Sequence, residues 1–100
     1  MNTIEIIKDQ IKNNKIILYM KGTPDEPMCG YSSQVVQILK KLNINYKFIN
    51  ILKYPEIRKI LPIYSNWPTF PQLYVNEKLI GGCDIISELY ENNSLINILK

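Results

Sequence analysis

The sequence predicts an α/β domain in which helices cover both faces of a four-stranded mixed sheet. Short apolar runs that fit strands alternate with segments of helical periodicity. The first two predicted strands flank a helix, which indicates a parallel pair joined by a crossover. The last two are separated by a two-residue turn, which indicates an antiparallel hairpin. With 100 residues, the chain has the length of one domain with a modest core, so we expect residues 1–100 to form a single domain.

The first half of the chain predicts helix, strand, loop and helix. Apolar residues recur at helical spacing over 3–12, with Thr3 as the expected N-cap. The apolar run 15–20 is short and follows an Asn-Asn turn, so it predicts a buried strand. One glycine and two prolines make 21–29 a loop. Apolar positions at i, i+4 and i+7 then predict an amphipathic helix over 30–42.

The second half predicts three more strands and three more helices. The strands are 46–49, 72–75 and 78–80, and the helices are 54–64, 84–90 and a short one carrying Leu95, Ile98 and Leu99. Asn76-Glu77 forms the turn of the hairpin, and a proline-rich connector covers 65–71. This order of elements is that of a thioredoxin-like fold.

The composition excludes several kinds of function. The chain has no histidine, which excludes Ser-His-Asp and Cys-His catalysis and His-ligated zinc. The net charge is +3 and the longest basic run is Lys40-Lys41, too sparse for a nucleic-acid interface. The longest apolar run, 16–20, is far shorter than the roughly 20 residues of a membrane span, and no signal peptide is apparent. We therefore expect a cytoplasmic protein with reduced cysteines and no membrane or nucleic-acid partner.

Cys29 is the first residue that points to chemistry. It lies at the junction of the predicted loop and helix, where unpaired backbone N–H groups and the helix dipole favour a thiolate. Lys21 in the same loop adds positive charge. Position 32 is serine, so no Cys-x-x-Cys pair is present. Cys29 is therefore expected to act alone, either as a nucleophile that an external thiol resolves or as a single metal ligand.

Three further features fit a small peptide ligand. Phe70-Pro71 precedes a strand and is expected to be cis, which frees neighbouring backbone groups to pair with an extended ligand, although two trans prolines are the alternative. Gly81 to Asp84 leads into a helix whose N-terminus suits a carboxylate, with Asp84 as N-cap and as partner of an ammonium group. Arg58 suits a bidentate pair with a second carboxylate. Glutathione offers two carboxylates, one ammonium and an extended backbone.

Four segments carry a resemblance to a known family. They are Lys21-Gly22-Thr23-Pro24, Met28-Cys29-Gly30-Tyr31-Ser32, Trp67-Pro68-Thr69-Phe70-Pro71-Gln72-Leu73-Tyr74-Val75 and Gly81-Gly82-Cys83-Asp84. In order and spacing they resemble the monothiol glutaredoxins of the Cys-Gly-Phe-Ser type, most closely the bacterial single-domain, glutaredoxin-4-like members. The resemblance covers almost the whole chain. Tyr31 stands where the family usually has Phe, and we expect the added hydroxyl to have little effect on ligation.

The resemblance implies a thioredoxin-like fold, glutathione binding and a [2Fe-2S] cluster shared by two protomers, with Cys29 as the cluster ligand and catalytic thiol. The glutathione-binding residues that it implies are Lys21, Arg58, Thr69, Phe70, Cys83 and Asp84. The first two would take the glycyl carboxylate, the backbone of Phe70 the cysteinyl unit, and the last two the γ-glutamyl end, with Thr69 a lesser candidate. The four thiolates that such a cluster needs would come from two Cys29 residues and two glutathiones in a homodimer.

Three functions are open at this level. The resemblance favours a carrier that delivers clusters to apo iron–sulfur proteins, as a homodimer or with a BolA-type partner. A glutathione-dependent oxidoreductase that removes glutathione from mixed disulfides is the alternative, because monothiol turnover needs Cys29 alone. A degenerate thioredoxin-like interaction module is disfavoured by the intact motifs. Whether Cys29 and Cys83 form a disulfide under oxidising conditions depends on the separation of their Cα atoms, which the sequence leaves open.

Overall fold

A computed structural model of the protein describes all 100 residues. One sheet has the strand order β2-β1-β3-β4. The strands are β1 (Ile16–Met20), β2 (Lys47–Asn50), β3 (Gln72–Val75) and β4 (Lys78–Gly81). β1 and β2 run parallel, and β3 runs antiparallel to both β1 and β4. The predicted mixed sheet, with its parallel crossover pair and its C-terminal hairpin, is confirmed.

Five helices cover the two faces of this sheet. They are α1 (Thr3–Asn13), α2 (Gly30–Lys41), α3 (Pro55–Ser65), α4 (Cys83–Glu91) and α5 (Leu95–Leu99). α1 packs with α3, and α2 packs with α4, to which α5 is joined. Two separate apolar clusters, one for each group of helices, lie against the sheet. None of the helices combines the length and the apolar character that crossing a membrane requires.

The central strand β1 explains why the core has two halves. Its five residues are all buried, and alternate side chains point to opposite faces of the sheet. Ile16, Leu18 and Met20 belong to the cluster beneath α2, α4 and α5, whereas Ile17 and Tyr19 belong to the cluster beneath α1 and α3. A strand that is covered on both faces is typically apolar along its whole length, so the uninterrupted apolar run of β1 matches its burial on both faces. Its carboxyl end leads directly into the loop that carries the candidate site.

Two predicted helix caps are wrong. Asn2, not Thr3, caps α1, because its side-chain oxygen accepts the N–H of Glu5 at 2.9 Å. At α4 the N-cap is Gly82, no side chain caps the helix, and Asp84 lies within the first turn. The helix begins one residue earlier than the apolar periodicity predicts, so Asp84 is already too far along to cap it. Asp84 therefore keeps only its expected role in ligand binding.

The strand boundaries agree with the sequence to within one residue. β2 lies one residue later than predicted, and only Ile49 in it is buried, so its apolar alternation gives little information on its ends. β3 has the predicted bounds. In the hairpin turn, Asn76 and Glu77 have φ values of 49° and 68°. Two consecutive positive φ values are those of the two-residue turns that suit a twisted hairpin.

Candidate functional site

Two hydrogen bonds fix the start of the loop between β1 and α2. The N–H of Lys21 donates to the hydroxyl of Ser32 at 3.1 Å, and the N–H of Gly22 donates to Oδ1 of Asn50 at 2.9 Å. Gly22 has a φ of 92°, and a Cβ there would lie 2.5 Å from the carbonyl oxygen of Glu26. Only glycine fits this bend. The bend and the two anchors hold Lys21 beside the start of α2.

Cys29 is the N-cap of α2, and its sulfur accepts the N–H of Ser32 at 3.3 Å. Burial tends to raise the pKa of this thiol. The side-chain hydrogen bond with Ser32, the backbone N–H groups of Ser32 and Tyr31, and the charge of Lys21 all lower it, and the net result is a pKa below the usual value. The direction agrees with the sequence-based expectation. The shift favours the thiolate of Cys29, which is the form that attacks disulfides and binds metals.

Access to this thiolate is open on the side of Gly30. A Cβ at Gly30 would meet no atom within 4 Å, and the residue is exposed. Cys29 itself is only partly buried. Tyr31, the position that departs from the family pattern, is 61% exposed. This end of α2 is therefore open to solvent.

The connector between α3 and β3 presents free backbone groups. The peptide bond between Phe70 and Pro71 is cis, as the sequence predicts. The N–H of Trp67 donates to the carbonyl oxygen of Pro62 at 3.1 Å, which joins the connector to the end of α3. The N–H and C=O of Phe70 have no hydrogen-bond partner within the chain. These two groups are therefore available to an extended peptide.

The N-terminus of α4 packs closely against this connector. Gly82 precedes the helix in an extended conformation with no side-chain cap, so the first N–H groups of α4 remain free for a ligand. A Cβ at Gly82 would lie 3.1 Å from the carbonyl oxygen of Pro71 and 3.5 Å from Nε1 of Trp67. The glycine thus permits the close approach of the two segments. Trp67 Nε1 is buried and has no hydrogen-bond partner.

A cleft of about 650 Å³ brings the predicted ligand residues together. All six line it: Lys21, Arg58, Thr69, Phe70, Cys83 and Asp84. The remaining walls are Tyr31, Pro62, Trp67, Pro68, Pro71, Gly82 and Ile85. Cys29 is not one of the walls, but its neighbours Lys21 and Tyr31 are. Sequence reasoning gave no ligand role to Pro62, Trp67 or Ile85, although Trp67 stands in one of the motifs that carry the resemblance.

The charges of the cleft suit an anionic peptide with one ammonium group. Lys21 and Arg58 supply two cations, and the N-terminus of α4 supplies the positive end of a helix dipole. Asp84 is the single carboxylate among the walls. The two cations and the helix N-terminus stabilise carboxylates, and the carboxylate of Asp84 stabilises an ammonium group. The arrangement has the polarity that the sequence predicts for a glutathione site.

Cys83 differs from Cys29 in its environment. It is 7% exposed, and its sulfur donates to Oε1 of Gln34 at 3.2 Å. Burial raises its pKa; the hydrogen bond with Ser87 partly offsets this effect, and the charges of Asp84 and Cys29 raise the pKa further. Cys83 is therefore a neutral hydrogen-bond donor. Both cysteines are free in this structure.

One chain offers a single good thiolate and no metal cage. No group of three or more His, Cys, Asp or Glu side chains lies close enough together to hold a metal ion. A [2Fe-2S] cluster is held by four ligands, usually thiolates. Cys29 fits such a cluster as one ligand, and the other three would have to come from outside the chain.

Comparison with known proteins identifies the family. Residues 16–80 match the glutaredoxin family, whose sequence pattern therefore covers most of the chain. The chain belongs to the glutaredoxin family. Among curated glutaredoxins, a probable monothiol glutaredoxin 2 of Rickettsia felis is 52% identical over 96 residues, which is 96% of this chain and 92% of the relative. Glutaredoxin 4 of Escherichia coli K12 is 50% identical over 98 residues, covering 98% of this chain and 85% of the relative.

A solved glutaredoxin has the same fold. Reduced apo GrxS14 from poplar superposes with a TM-score of 0.80 at 45% identity, over 94% of this chain and 86% of that one. The thioredoxin-like fold that the sequence predicts is confirmed. The single thiol of the Cys29-Gly30-Tyr31-Ser32 segment agrees with the monothiol name of the rickettsial relative. The expectation of a monothiol glutaredoxin of the glutaredoxin-4 kind is likewise confirmed.

Proposed function

We propose that this monothiol glutaredoxin carries a [2Fe-2S] cluster and transfers it to apo iron–sulfur proteins in the cytoplasm. The cluster is cargo, held between two protomers by two Cys29 thiolates and two glutathiones. A BolA-type protein is the proposed alternative to the second protomer. The observation that supports this proposal most is the isolation of Cys29: one accessible thiol with a lowered pKa stands beside a cleft suited to glutathione.

The count of ligands supports a shared site. Each protomer has one suitable thiolate, because Cys83 is buried and its pKa is raised. Four thiolates are needed, and two protomers supply two of them. A bound glutathione adds one more per protomer if its thiol lies near Cys29. Two of the four ligands would then be exchangeable small molecules, which suits a protein that must release its cargo.

The cleft supports glutathione as the added ligand. Lys21 and Arg58 are matched to its glycyl carboxylate, the free N–H and C=O of Phe70 to its cysteinyl backbone, and the N-terminus of α4 with Asp84 to its γ-glutamyl end. Thr69, which directly precedes Phe70 in the sequence, also lines the cleft. Each charged or backbone group of the ligand thereby has a complementary partner.

Anaerobic reconstitution tests the proposal. The reduced protein is incubated with iron, sulfide and glutathione, and its visible spectrum is recorded beside a sizing column. We expect a brown dimer that bleaches to a colourless monomer when glutathione is removed. A colourless monomer under all conditions would contradict the carrier function.

Two cysteine variants make the test specific. Cys29→Ser is expected to abolish the chromophore, because oxygen replaces the only suitable thiolate. Cys83→Ser keeps a hydrogen-bond donor at a position that supplies no thiolate, so it is expected to retain the chromophore. Transfer is then measured by mixing the brown dimer with an apo-ferredoxin and following the spectrum of the acceptor after separation.

A second function is favoured by the lowered pKa of Cys29 itself. A thiolate at an open helix N-terminus can attack a glutathione mixed disulfide. The Cys29 sulfur bonds to the glutathione sulfur, and the target leaves as a thiolate that takes up a proton. A second glutathione then attacks the Cys29–glutathione disulfide, which releases oxidised glutathione and restores the Cys29 thiolate. No second cysteine is required, so Ser32 is compatible with this cycle.

Turnover with a glutathionylated peptide distinguishes the two functions. Rapid metal-free turnover by a protein that forms no chromophore would favour the oxidoreductase. Slow turnover together with a glutathione-dependent chromophore would favour the carrier. Cys29→Ser is expected to be inactive in both assays, so it tests the site but does not distinguish the functions.

A further inference from the structure

Gln72 is a polar residue enclosed within the fold. It is the first residue of β3 and is 0% exposed. Its Nε2 donates to the carbonyl oxygen of Trp67 at 2.9 Å and to that of Thr69 at 3.2 Å. Both acceptors lie in the connector that forms one wall of the cleft, immediately before Phe70. Gln72 itself is not among the residues that line the cleft.

Its neighbours determine how the carboxamide is oriented. Backbone carbonyl oxygens only accept hydrogen bonds, so the NH₂ group must face the connector. The other end, Oε1, accepts the hydroxyl of Tyr74 at 2.9 Å. Burial raises the pKa of Tyr74 to about 12; interaction with the Ser65 side chain opposes the shift, and the charge of Tyr64 adds to it. Tyr74 is therefore a protonated donor at neutral pH, and the orientation of Gln72 is unique.

No other side chain hydrogen-bonds to this part of the backbone. The only backbone bond of residues 67–70 is the one from the N–H of Trp67 to Pro62. Without Gln72, the carbonyl groups of Trp67 and Thr69 would have no partner within the chain. The conformation of the segment just before Phe70 therefore depends on one buried carboxamide.

We infer that Gln72 is a positioning residue for glutathione. Its carboxamide, held by Tyr74, fixes residues 67–69 so that the free N–H and C=O of Phe70 face the cleft. Gln72 does not touch the ligand and acts through Phe70. The inference rests on the proposed binding of glutathione in this cleft, and it adds a residue outside the cleft walls on which that binding depends.

The main test replaces Gln72 by an apolar side chain of similar length. In Gln72→Met both hydrogen bonds to the connector are lost while the volume is nearly kept. We expect the Kd of the reduced protein for glutathione, measured by calorimetry, to rise about tenfold. The rate at which iodoacetamide alkylates Cys29 should not change, because the side chain of Gln72 makes no hydrogen bond to Ser32, Tyr31 or Lys21, the residues that lower the pKa of that thiol. Gln37→Met, an exposed glutamine on α2, is the matched control and should bind glutathione like the wild type.

Trp67 supplies a readout that needs no ligand. It is the only tryptophan of the chain, and its carbonyl is one of the two acceptors of Gln72. We expect the fluorescence of Gln72→Met to shift to longer wavelength and to become more sensitive to acrylamide. Both changes would report that the connector has loosened in the free protein.

Tyr74→Phe is the second variant, for use if Gln72→Met does not fold. It keeps the edge-on ring contact with Tyr19, whose centroid lies 5.7 Å away, and removes only the hydroxyl that orients Gln72. We expect a smaller fluorescence shift than in Gln72→Met and a rise in the Kd for glutathione of about threefold. A variant that is less stable to heat but has wild-type fluorescence and an unchanged Kd would show that the network is merely structural, and it would overturn the inference.

The outcomes separate this inference from the proposed function. If the wild type binds glutathione and the folded variants bind it equally well, only the positioning role is overturned. If the wild type itself binds no glutathione, the proposed function is contradicted and the inference is overturned with it. A rise in Kd together with the fluorescence change, against an unaltered Gln37→Met control, supports both.

Discussion

The hydroxyl oxygen of Ser32 lies 3.4 Å from the sulfur of Cys29. The same oxygen accepts the N–H of Lys21 at 3.1 Å, and Ser32 is completely buried. Because the N–H of Lys21 occupies one side of this oxygen, the hydroxyl proton is free to point at the sulfur once Cys29 is ionised. The serine that stands where a dithiol protein has its second cysteine is therefore a direct stabiliser of the Cys29 thiolate.

Removing this hydroxyl should make Cys29 less acidic. In Ser32→Ala the hydrogen bond to the thiolate is lost, so we expect the pKa of Cys29 to rise. The thiolate fraction grows with pH, and the half-maximal rate of alkylation by iodoacetamide should therefore move to higher pH. The N–H of Lys21 also loses its acceptor, which should lower the free energy of unfolding by ~1–3 kcal/mol.

The neighbouring serine provides the control for this experiment. The Ser33 hydroxyl accepts a hydrogen bond from Gln37 at 3.3 Å and makes none to Cys29. The backbone N–H of Ser33 donates to the carbonyl oxygen of Cys29 at 3.0 Å, and alanine keeps that bond. The pH profile of Ser33→Ala should coincide with that of the wild type. A Ser32→Ala profile that also coincided with the wild type would show that the hydroxyl has no effect on the thiolate.

Cys83 is expected to affect glutathione binding and not cluster ligation. Its thiol is buried, has a raised pKa and donates to Gln34. Serine keeps a donor but is smaller and more polar, so Cys83→Ser should raise the Kd for glutathione about two- to fivefold. The chromophore of the reconstituted dimer should persist at saturating glutathione. Its complete loss would identify Cys83 as a cluster ligand and contradict its role in binding glutathione.

The walls of the cleft were more predictable from sequence than the contacts behind them. Lys21, Phe70 and Asp84 lie in motifs whose local chemistry is visible in the residues themselves: a cation near a thiol, a residue before proline, and a carboxylate at a helix start. The structure brings them together as expected. The role of Gln72 could not be predicted in the same way, because the sequence around a glutamine at the start of a strand does not indicate its hydrogen-bond partners.

Helix ends and long-range hydrogen bonds account for the remaining differences. Thr3 and Asp84 are both residues that favour N-caps, yet the caps are the residues one and two positions earlier, Asn2 and Gly82. Which residue becomes the N-cap depends on how each helix packs, and local residue propensities carry no information about that packing. The bond from Gly22 to Asn50 spans 28 positions and likewise depends on the tertiary fold.

The charge of Arg58 should contribute to affinity in a salt-dependent way. It is exposed and lines the cleft, so its attraction for a carboxylate is screened by water and ions. We expect Arg58→Gln to raise the Kd for glutathione about two- to fivefold at low salt. The difference from the wild type should shrink as potassium chloride is added.

Lys59→Gln is the matched change for Arg58→Gln. Lys59 is the next residue on α3 and is exposed, but it does not line the cleft. Its replacement by glutamine removes the same charge as Arg58→Gln. If both variants lose affinity equally, the effect comes from net charge and not from a contact of Arg58 with the ligand.

Gly82 should be intolerant of even one added carbon. In Gly82→Ala the new Cβ would lie 3.1 Å from the carbonyl oxygen of Pro71, a tight contact with backbone that cannot rotate away. The N-terminus of α4 and the connector must then separate, which should weaken glutathione binding, measured by calorimetry, and lower the free energy of unfolding by ~1–3 kcal/mol. Gly30→Ala is the steric control for stability, since its Cβ would meet nothing within 4 Å. Its free energy of unfolding, from urea titration, should equal or exceed that of the wild type, because alanine lowers the entropy of the unfolded chain. Equal losses in both variants would show that the contact with Pro71 is not the cause.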